Sequence, residues 1–295
     1  MIDRSGRLAA LAAAFVIALV LAGPPARAEE AFRIGHLGSG AHQGEAERLE
    51  PFRAYLEARL QRPVELVPHR NLQTLVLALT SGGIDYAPLP ARGFALGMLA
   101  CGCLEAIALQ PDPQGRTGYH AALAVAAGSR FHSLDDLAGA RLVIVGEGST
   151  AAHLVGLAEL ARIGVERTRF ASIGFAPSIE AGAAAVASGE ADALLSWSFG
   201  DDSGPAGAFA RLPEPGALDI VWLSRPIPYG PQVMRADADP MLKAAVADAV
   251  TQLSFEAQPE AFEAIDRGTG RPFLRIGTSA YQPVIAALSQ FSEAQ

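Results

Sequence analysis

The chain has 295 residues, half of them hydrophobic, with 23 Lys and Arg against 31 Asp and Glu and a formal net charge of −8. The acidic balance argues against nucleic acid or anionic lipid as partners, but one pocket with a few aimed donors binds an anion whatever the net charge. The apolar content and the length together support two sizeable cores.

The chain opens on a leader. Asp3, Arg4 and Arg7 form a short, net-positive start, residues 8–23 are apolar and uncharged, Pro24 and Pro25 follow, and Ala26-Arg27-Ala28 has the small-x-small form of a cleavage site. This pattern predicts a secretory signal peptide over residues 1–28, with export to the periplasm. A membrane anchor is the competing reading, but its run would be marginally short and the cleavage signal would go unexplained. No Cys stands at the cleavage point, so no lipid anchor is expected. The leader carries two net positive charges, which puts the mature part at −10. No later stretch is apolar and long enough to span a membrane.

Strands and helices then alternate. Residues 32–37 read as a strand, followed by the Gly/Ser loop Gly38-Ser39-Gly40-Ala41-His42. Leu49, Phe52, Leu56 and Leu60 stand at helical spacing within 45–60. A strand is predicted over 63–67. A helix capped by Asn71 then runs through Leu79 to the stop Ser81-Gly82-Gly83. A strand at 84–88, a helix over 92–100 and a strand at 104–109 complete a βαβαβ unit, hence a mostly parallel sheet with helices on both faces. A second unit begins near Tyr119: a strand at 120–126, a capped turn at Ser133–Leu137, and a strand at 141–145 that runs into Gly146-Glu147-Gly148-Ser149-Thr150. Helices to about 163 and over 180–188, a strand at 191–195, a soft stretch over 200–216 and a strand at 220–223 follow. Residues 227–234 read as the return crossing into the first unit, and helices from Met241 and Pro259 close the chain.

In open α/β sheets ligands sit outside the carboxyl ends of the strands. The most specific local signal is therefore Gly148-Ser149-Thr150, where a buried strand opens a helix. The free amides and helix dipole there favour an anion, with hydroxyls of Ser149 and Thr150 added to the amides of Ala151 and Ala152. A plain helix cap is the competing reading. Six histidines, His36, His42, His69, His120, His132 and His153, show no metal-binding spacing, so no metal or cofactor is expected. His153 either touches a ligand or packs under the loop. His42 falls in the loop after the first strand, and Arg92 is the one cation aimed at the cleft, unless it is an ordinary surface Arg. Cys101-Gly102-Cys103 is open to three readings: a reduced, buried helix-to-strand junction, a strained disulfide, or a soft ligand site. No nucleophile elbow, Walker loop or dinucleotide fingerprint occurs, so no enzyme is expected.

Several stretches, in order, resemble the phosphate/phosphite/phosphonate-binding periplasmic proteins of ABC importers. Phe52–Glu57 with Arg62–Val67 is similar to that family's first helix and second strand. Gly83-Ile84-Asp85-Tyr86-Ala87 through Phe94 resembles its strand and aromatic turn, and Ser133–Gly139 a further segment. Gly148–Val155 is similar to its anion loop, Ala187–Ala193 to another family stretch, and Ser224–Pro228 to the crossing strand. The resemblance implies a two-lobed α/β fold of two mixed, mostly parallel sheets joined by hinge strands. Lobe 1 would be 29–121 and 226–295, and lobe 2 would be 122–225. It implies a monomer that binds a small oxyanion or phosphonate by lobe closure and docks an importer's membrane permease. The alternative is a sensor subunit, for example for arsenite, that docks a histidine kinase. The site residues implied are Ser149, Thr150, Ala151, Ala152, His153, His42, Arg92, Phe94, Tyr119, Trp197 and Tyr229.

The departures from that pattern matter. Ala151 replaces a hydroxyl, and Phe94 stands for a Tyr. Gly230 and Ser196-Trp197-Ser198 stand where aminoalkyl-phosphonate binders carry acids, so an ammonium-bearing phosphonate should not be preferred. Trivalent arsenic seeks thiols, which keeps the sensor reading tied to Cys101 and Cys103.

Overall fold

A computed structural model describes residues 30–38, 44–200 and 206–293; the expected signal peptide and the loop holding His42 lie outside them. The elements are β1 (Phe32–Leu37), α1 (Glu45–Leu60), β2 (Val64–His69), α2 (Leu72–Thr80), β3 (Tyr86–Pro88), α3 (Ala91–Cys101) and β4 (Leu104–Leu109). They continue with β5 (Gly118–Ala126), β6 (Arg141–Val145), α4 (Gly156–Arg162), β7 (Ser172–Ala176), α5 (Ile179–Ala187), β8 (Ala193–Ser198) and β9 (Leu218–Leu223). Then come β10 (Ile227–Pro228), β11 (Pro231–Arg235), α6 (Pro240–Gln252), α7 (Pro259–Ile265), β12 (Leu274–Arg275) and α8 (Gln282–Glu293).

Local chemistry sets these bounds. In α1, Leu49, Phe52 and Leu56 are buried on one face. Asn71 caps α2 by accepting from the Thr74 N–H at 2.9 Å, and the Thr74 hydroxyl returns the bond to the Asn71 N–H. Several elements exceed the sequence reading: β8 runs on to Ser198, β7 and β12 are additional strands, and α8 is an additional helix whose Val284, Ala287 and Leu288 are buried.

Two six-stranded sheets result. In the first, β1 pairs in parallel with β2 and β3, β11 lies antiparallel between β3 and β4, and β12 edges β4. In the second, β6 pairs in parallel with β7 and β8, and β5 runs antiparallel to β8. The free edge of β5 is shared by β9 along residues 122–126 and β10 at 118–119. Most strands in each sheet point one way, so both are mixed α/β sheets in a two-lobed fold; β5, β11 and β12 are the reversed strands. Both faces of each sheet are covered. On β5, Leu123 and Val125 enter one core while Ala122 and Ala124 enter the other, the period of two expected of a strand buried on both sides.

The chain crosses between the sheets twice, before β5 and between β10 and β11. The crossings lie side by side: Ile227 pairs with Tyr119, Pro228 with Gly118, and the Tyr229 N–H donates to the Thr117 carbonyl at 3.0 Å. Gly118 is required by that closeness, since a Cβ there would stand 2.3 Å from the Ile227 carbonyl oxygen.

Of the three readings of the cysteines, the structure shows the disulfide: they sit at the helix-to-strand junction, but they are not reduced and buried. Cys101 is exposed and Cys103 half-buried, and they form a disulfide across Cα atoms 5.0 Å apart. The left-handed Gly102 at the end of α3 turns the chain so that the two side chains meet.

Gly118→Ala should destabilise the protein by about 2 kcal/mol in urea denaturation, because the atoms it would displace are backbone and cannot yield as a side chain can. A loss under about 0.5 kcal/mol, the scale of ordinary surface substitutions, would mean that the crossings do not constrain the fold.

Candidate functional site

The site is built from the carboxyl end of β6. Its apolar run places Leu142 and Ile144 in one core and Val143 in another. The chain then turns sharply through Gly146 and Gly148, at φ 75° and 77°, a region closed in practice to residues with a Cβ. Thr150–Val155 forms a π-helical turn that leads into α4. Ser149 anchors it twice. Its carbonyl accepts from the His153 N–H at 3.2 Å and the Leu154 N–H at 3.0 Å, and its Oγ accepts from the Ala152 N–H at 3.3 Å. The wide turn and the helix start leave the early amides without intrahelical acceptors. Ser149 is thus a helix cap, and its hydroxyl proton stays available to donate.

A cavity of about 370 Å³ opens against this turn, lined by Tyr119, Ser149, Thr150, Ala151, Trp197, Phe199 and Tyr229. Six of these seven come from the sequence reading, and they come from four places: both chain crossings, the helix start and the end of β8. The aromatic rings pack as a group. Tyr119 meets Trp197 edge-on at 5.8 Å and Tyr229 at 6.0 Å, and Trp197 meets Phe199 edge-on at 5.2 Å. Phe199 is the residue the sequence reading missed. It follows directly on β8, one residue beyond the strand's end at Ser198, where the sequence reading already closes the strand at 195.

Polar groups brace the aromatics from behind. The Tyr229 hydroxyl donates to Asp112 at 3.1 Å, and Asp112 pairs with Arg116 at 2.7 Å. The Arg116 guanidinium lies 3.4 Å from the Phe199 ring centre, a cation–π contact. Burial and the adjacent Asp112 carboxylate push the Tyr229 phenol up to about 12, so it remains a neutral donor at working pH.

Other predicted residues take different places. Phe94 is fully buried in the first lobe's core, edge-on to Tyr281 at 4.9 Å, and does not reach the cavity. The apolar seat beneath α3 outweighs the cleft for this ring because Phe has no hydroxyl to keep near water. Ala152 is buried, with its amide spent on Ser149. His153 points away from the cavity. Its Nδ1 accepts from the Gly148 N–H at 2.9 Å and its ring meets Phe175 and Phe291, so it holds the loop from beneath. Arg92 is exposed and donates to the Gly148 carbonyl at 3.2 Å, joining the start of α3 to the loop. His42 lies outside the described residues. Among the described residues no group of three or more His, Cys, Asp or Glu is placed to hold a metal.

The arrangement sets hydroxyl and amide donors with a favourable helix dipole on one wall, worth about 0.3–1 kcal/mol towards an anion when exposed. Aromatic faces form the other wall. A small anion with an apolar portion matches both.

The family described as ABC transporter, phosphonate, periplasmic substrate-binding protein matches residues 39–273. No curated protein matches the chain in sequence. Among solved structures, the chain is similar to XAC2383 from Xanthomonas citri bound to chloride, at 19% identity and a TM-score of 0.60, over 90% of this chain and 99% of that one. It is similar to PhnD1 from Prochlorococcus marinus in complex with methylphosphonate, at 16% identity and a TM-score of 0.50, over 89% and 98%. It is also similar to the putative periplasmic sulfonate-binding protein SsuA of Methylobacillus flagellatus, at 18% identity and a TM-score of 0.51, over 90% and 87%. Likeness at these identities shows the fold alone.

His153 generates a pH prediction. Burial, then the Arg167 charge, lower its pKa below the ordinary 6.5, against a smaller opposite pull from Glu147. A depressed pKa means that the neutral ring's contribution is present above about pH 6.5 and is lost as pH falls through the lower folded value. His153→Phe cannot accept the Gly148 N–H and should cost about 1 kcal/mol at pH 7.5, with the gap to wild type closing towards pH 5 in thermal denaturation. A gap that does not change with pH would show that the imidazole does not hold the loop.

Proposed function

Because the chain belongs to the family of phosphonate periplasmic substrate-binding proteins of ABC transporters, we propose that it captures a small phosphonate or another small phosphorus oxyanion by lobe closure and presents it to an importer's membrane permease. The observation that carries this reading is the shared cavity: the helix start at Ser149 and Thr150 faces aromatic residues from both chain crossings. The tetrahedral head sits at the helix start and accepts from the hydroxyls of Ser149 and Thr150 and the amide of Ala151. The tail lies against Tyr119, Trp197, Phe199 and Tyr229.

In this reading residues 1–28 are a cleaved signal peptide, residues 29–121 and 226–295 form one lobe, and 122–225 form the other. The crossings are the hinge, and ligand shifts the population towards the closed form. The Arg92 contact with Gly148 is then a latch at the cavity's edge. Phosphite and phosphate are the smallest ligands that fit. A sulfonate is the nearest competitor, because SsuA proteins share the fold and its head is also tetrahedral. The arsenite-sensor alternative loses its ligating groups, since Cys101 and Cys103 are bonded to each other.

Changing Ser149 and Thr150 together to Ala should weaken methylphosphonate binding at least tenfold by calorimetry, because each lost bond to a charged group is worth about 1.5–3 kcal/mol. Loss of the cap alone lowers stability by about 1 kcal/mol, so a melting curve accompanies the titration. Unchanged affinity in a folded variant would reduce these residues to a cap, and tighter binding of methanesulfonate than of methylphosphonate would move the ligand class to sulfonates.

Trp197 provides an internal reporter of the same event. Ligand should shift its fluorescence, and the response should vanish in Trp197→Phe but persist in Trp222→Phe, whose ring packs in the second lobe's core. A response carried by Trp222 would place the ligand elsewhere.

A further inference from the structure

The first lobe contains another cavity, of about 290 Å³, reached by the carboxyl ends of β1 and β3 and the entry to α3. That edge is where open α/β sheets take ligands, yet the Ser149 site does not account for it. Its polar groups divide into those with partners and those without. Glu45 pairs with Arg48 at 2.6 Å. Asp266 accepts from Gln110 at 2.6 Å and from the amides of Thr269 and Gly270 at 3.0 and 3.2 Å. The acids on this wall are therefore occupied.

The unoccupied groups are of the opposite kind. The Arg267 backbone N–H donates to Gln110 at 3.0 Å, but among the described residues its guanidinium makes no hydrogen bond or ion pair. Its Nη1 lies 3.2 Å from where a Cβ on Gly230 would stand, so the charge sits beside the second crossing. Arg267 lines the cavity as an exposed residue, and the partial burial of its guanidinium lowers its pKa. Gln232 receives the Tyr86 hydroxyl on its Oε1, which leaves its amide NH2 as a donor on the same wall. His36 is 3% exposed. Its Nδ1 stands 3.0 Å from the Leu37 carbonyl, and a carbonyl can only accept, so Nδ1 carries the proton. In that tautomer of the neutral ring Nε2 is an acceptor, and it is buried with no partner.

One cavity thus offers a cation without a counter-charge, an amide donor and a lone-pair acceptor. An anion alone would satisfy the first two and repel the third. A neutral alcohol would satisfy only the third. We propose that this cavity binds the acidic end of a small hydroxy acid, with the carboxylate against Arg267 and the Gln232 amide and the neighbouring hydroxyl donating to His36 Nε2. The assignment stands apart from the reading of the Ser149 loop. The group comes either from a free hydroxy acid or from the carboxylated tail of a phosphonate whose head is at Ser149.

Calorimetry on the mature protein separates these cases. The probes are malate against succinate, and 2-hydroxy-3-phosphonopropionate against 3-phosphonopropionate, each pair differing by one hydroxyl. Propylphosphonate serves as the probe without a carboxylate. The proteins are wild type, Arg267→Gln, Arg267→Lys and the Ser149/Thr150 double Ala variant. At least one carboxylate probe should bind wild type tenfold or more tighter than Arg267→Gln, with part of the affinity kept in Arg267→Lys. The hydroxylated member of that pair should be preferred severalfold. Malate binding that the double variant leaves unchanged identifies a free acid, whereas a carboxylate gain seen only among the phosphonates, and weakened by the double variant, identifies a tail.

His36→Phe should erase the hydroxyl preference; because His36 is buried and that variant can misfold, the wild-type comparison within each pair tests the claim without it. No binding of any carboxylate probe, equal affinity in Arg267→Gln, or no preference for the hydroxylated member overturns the assignment. If methylphosphonate still binds in that event, only this inference falls. If a hydroxy acid binds through Arg267 while no phosphonate binds, the phosphonate reading falls and this one stands.

Discussion

Two chain crossings pass so closely that position 118 has no room for a side chain, and much of the molecule follows from that contact. Tyr119 follows Gly118 on one crossing, Tyr229 follows its pairing partner Pro228 on the other, and their rings end 6.0 Å apart. The joint between the sheets and the wall of the cavity are therefore the same residues.

A second seam bears on how freely the lobes move. Leu154, Val155 and Ala158 from the helix start pack with Ala95 of α3 and with Val284, Ala287 and Leu288 of α8. Beside it, the buried Glu159 carboxylate is held by Arg225, at 2.7 and 2.9 Å, and by Arg162 at 3.2 Å. Burial alone would raise the Glu159 pKa; the hydrogen bonds from the two arginines outweigh it and hold the carboxyl below its ordinary range. The two contributions are unequal. Each buried Leu or Val contributes about 1.5–3 kcal/mol, whereas a buried ion pair nets little against well-packed apolar residues because both charges lose water. The apolar seam supplies most of the holding energy, and the Glu159–Arg225 pair ties α4 to the residues just before the return crossing. The last helix in sequence thus works at the joint.

The sequence carried the alternation of strands and helices because buried strands and amphipathic helices leave different apolar periods. It carried the site where a single residue type had a local reason: Ser149 and Thr150 at a helix start, Tyr119 and Tyr229 at crossings marked by Gly and Pro. It set Phe94 with the site and left His153 open between touching a ligand and packing under the loop, because both orientations depend on tertiary packing: Tyr281 offers a ring seat to the one, and Phe175 and Phe291 to the other. The helix α8 was legible in principle, since Val284, Ala287, Leu288 and Phe291 fall at helical spacing; the stretch is short, and its importance comes from partners far away in sequence. The disulfide was undecidable by spacing alone, because it needs the turn that Gly102 makes at the end of α3.

The Gly230 position shows how one backbone contact can decide which residue stands at a given place. A Cβ at 230 would stand 2.3 Å from the Leu89 carbonyl oxygen and 3.0 Å from the Pro90 Cα. These are backbone atoms at the mouth of α3, so no carboxylate can be mounted there without moving the helix. The space that an acid would have used borders instead on the Arg267 guanidinium, and the remaining wall is aromatic. Asp112, the nearby acid, is already bound to Arg116 and to the Tyr229 hydroxyl. The closeness of two backbone segments thus keeps an acid away from position 230, the same kind of constraint that fixes the crossings.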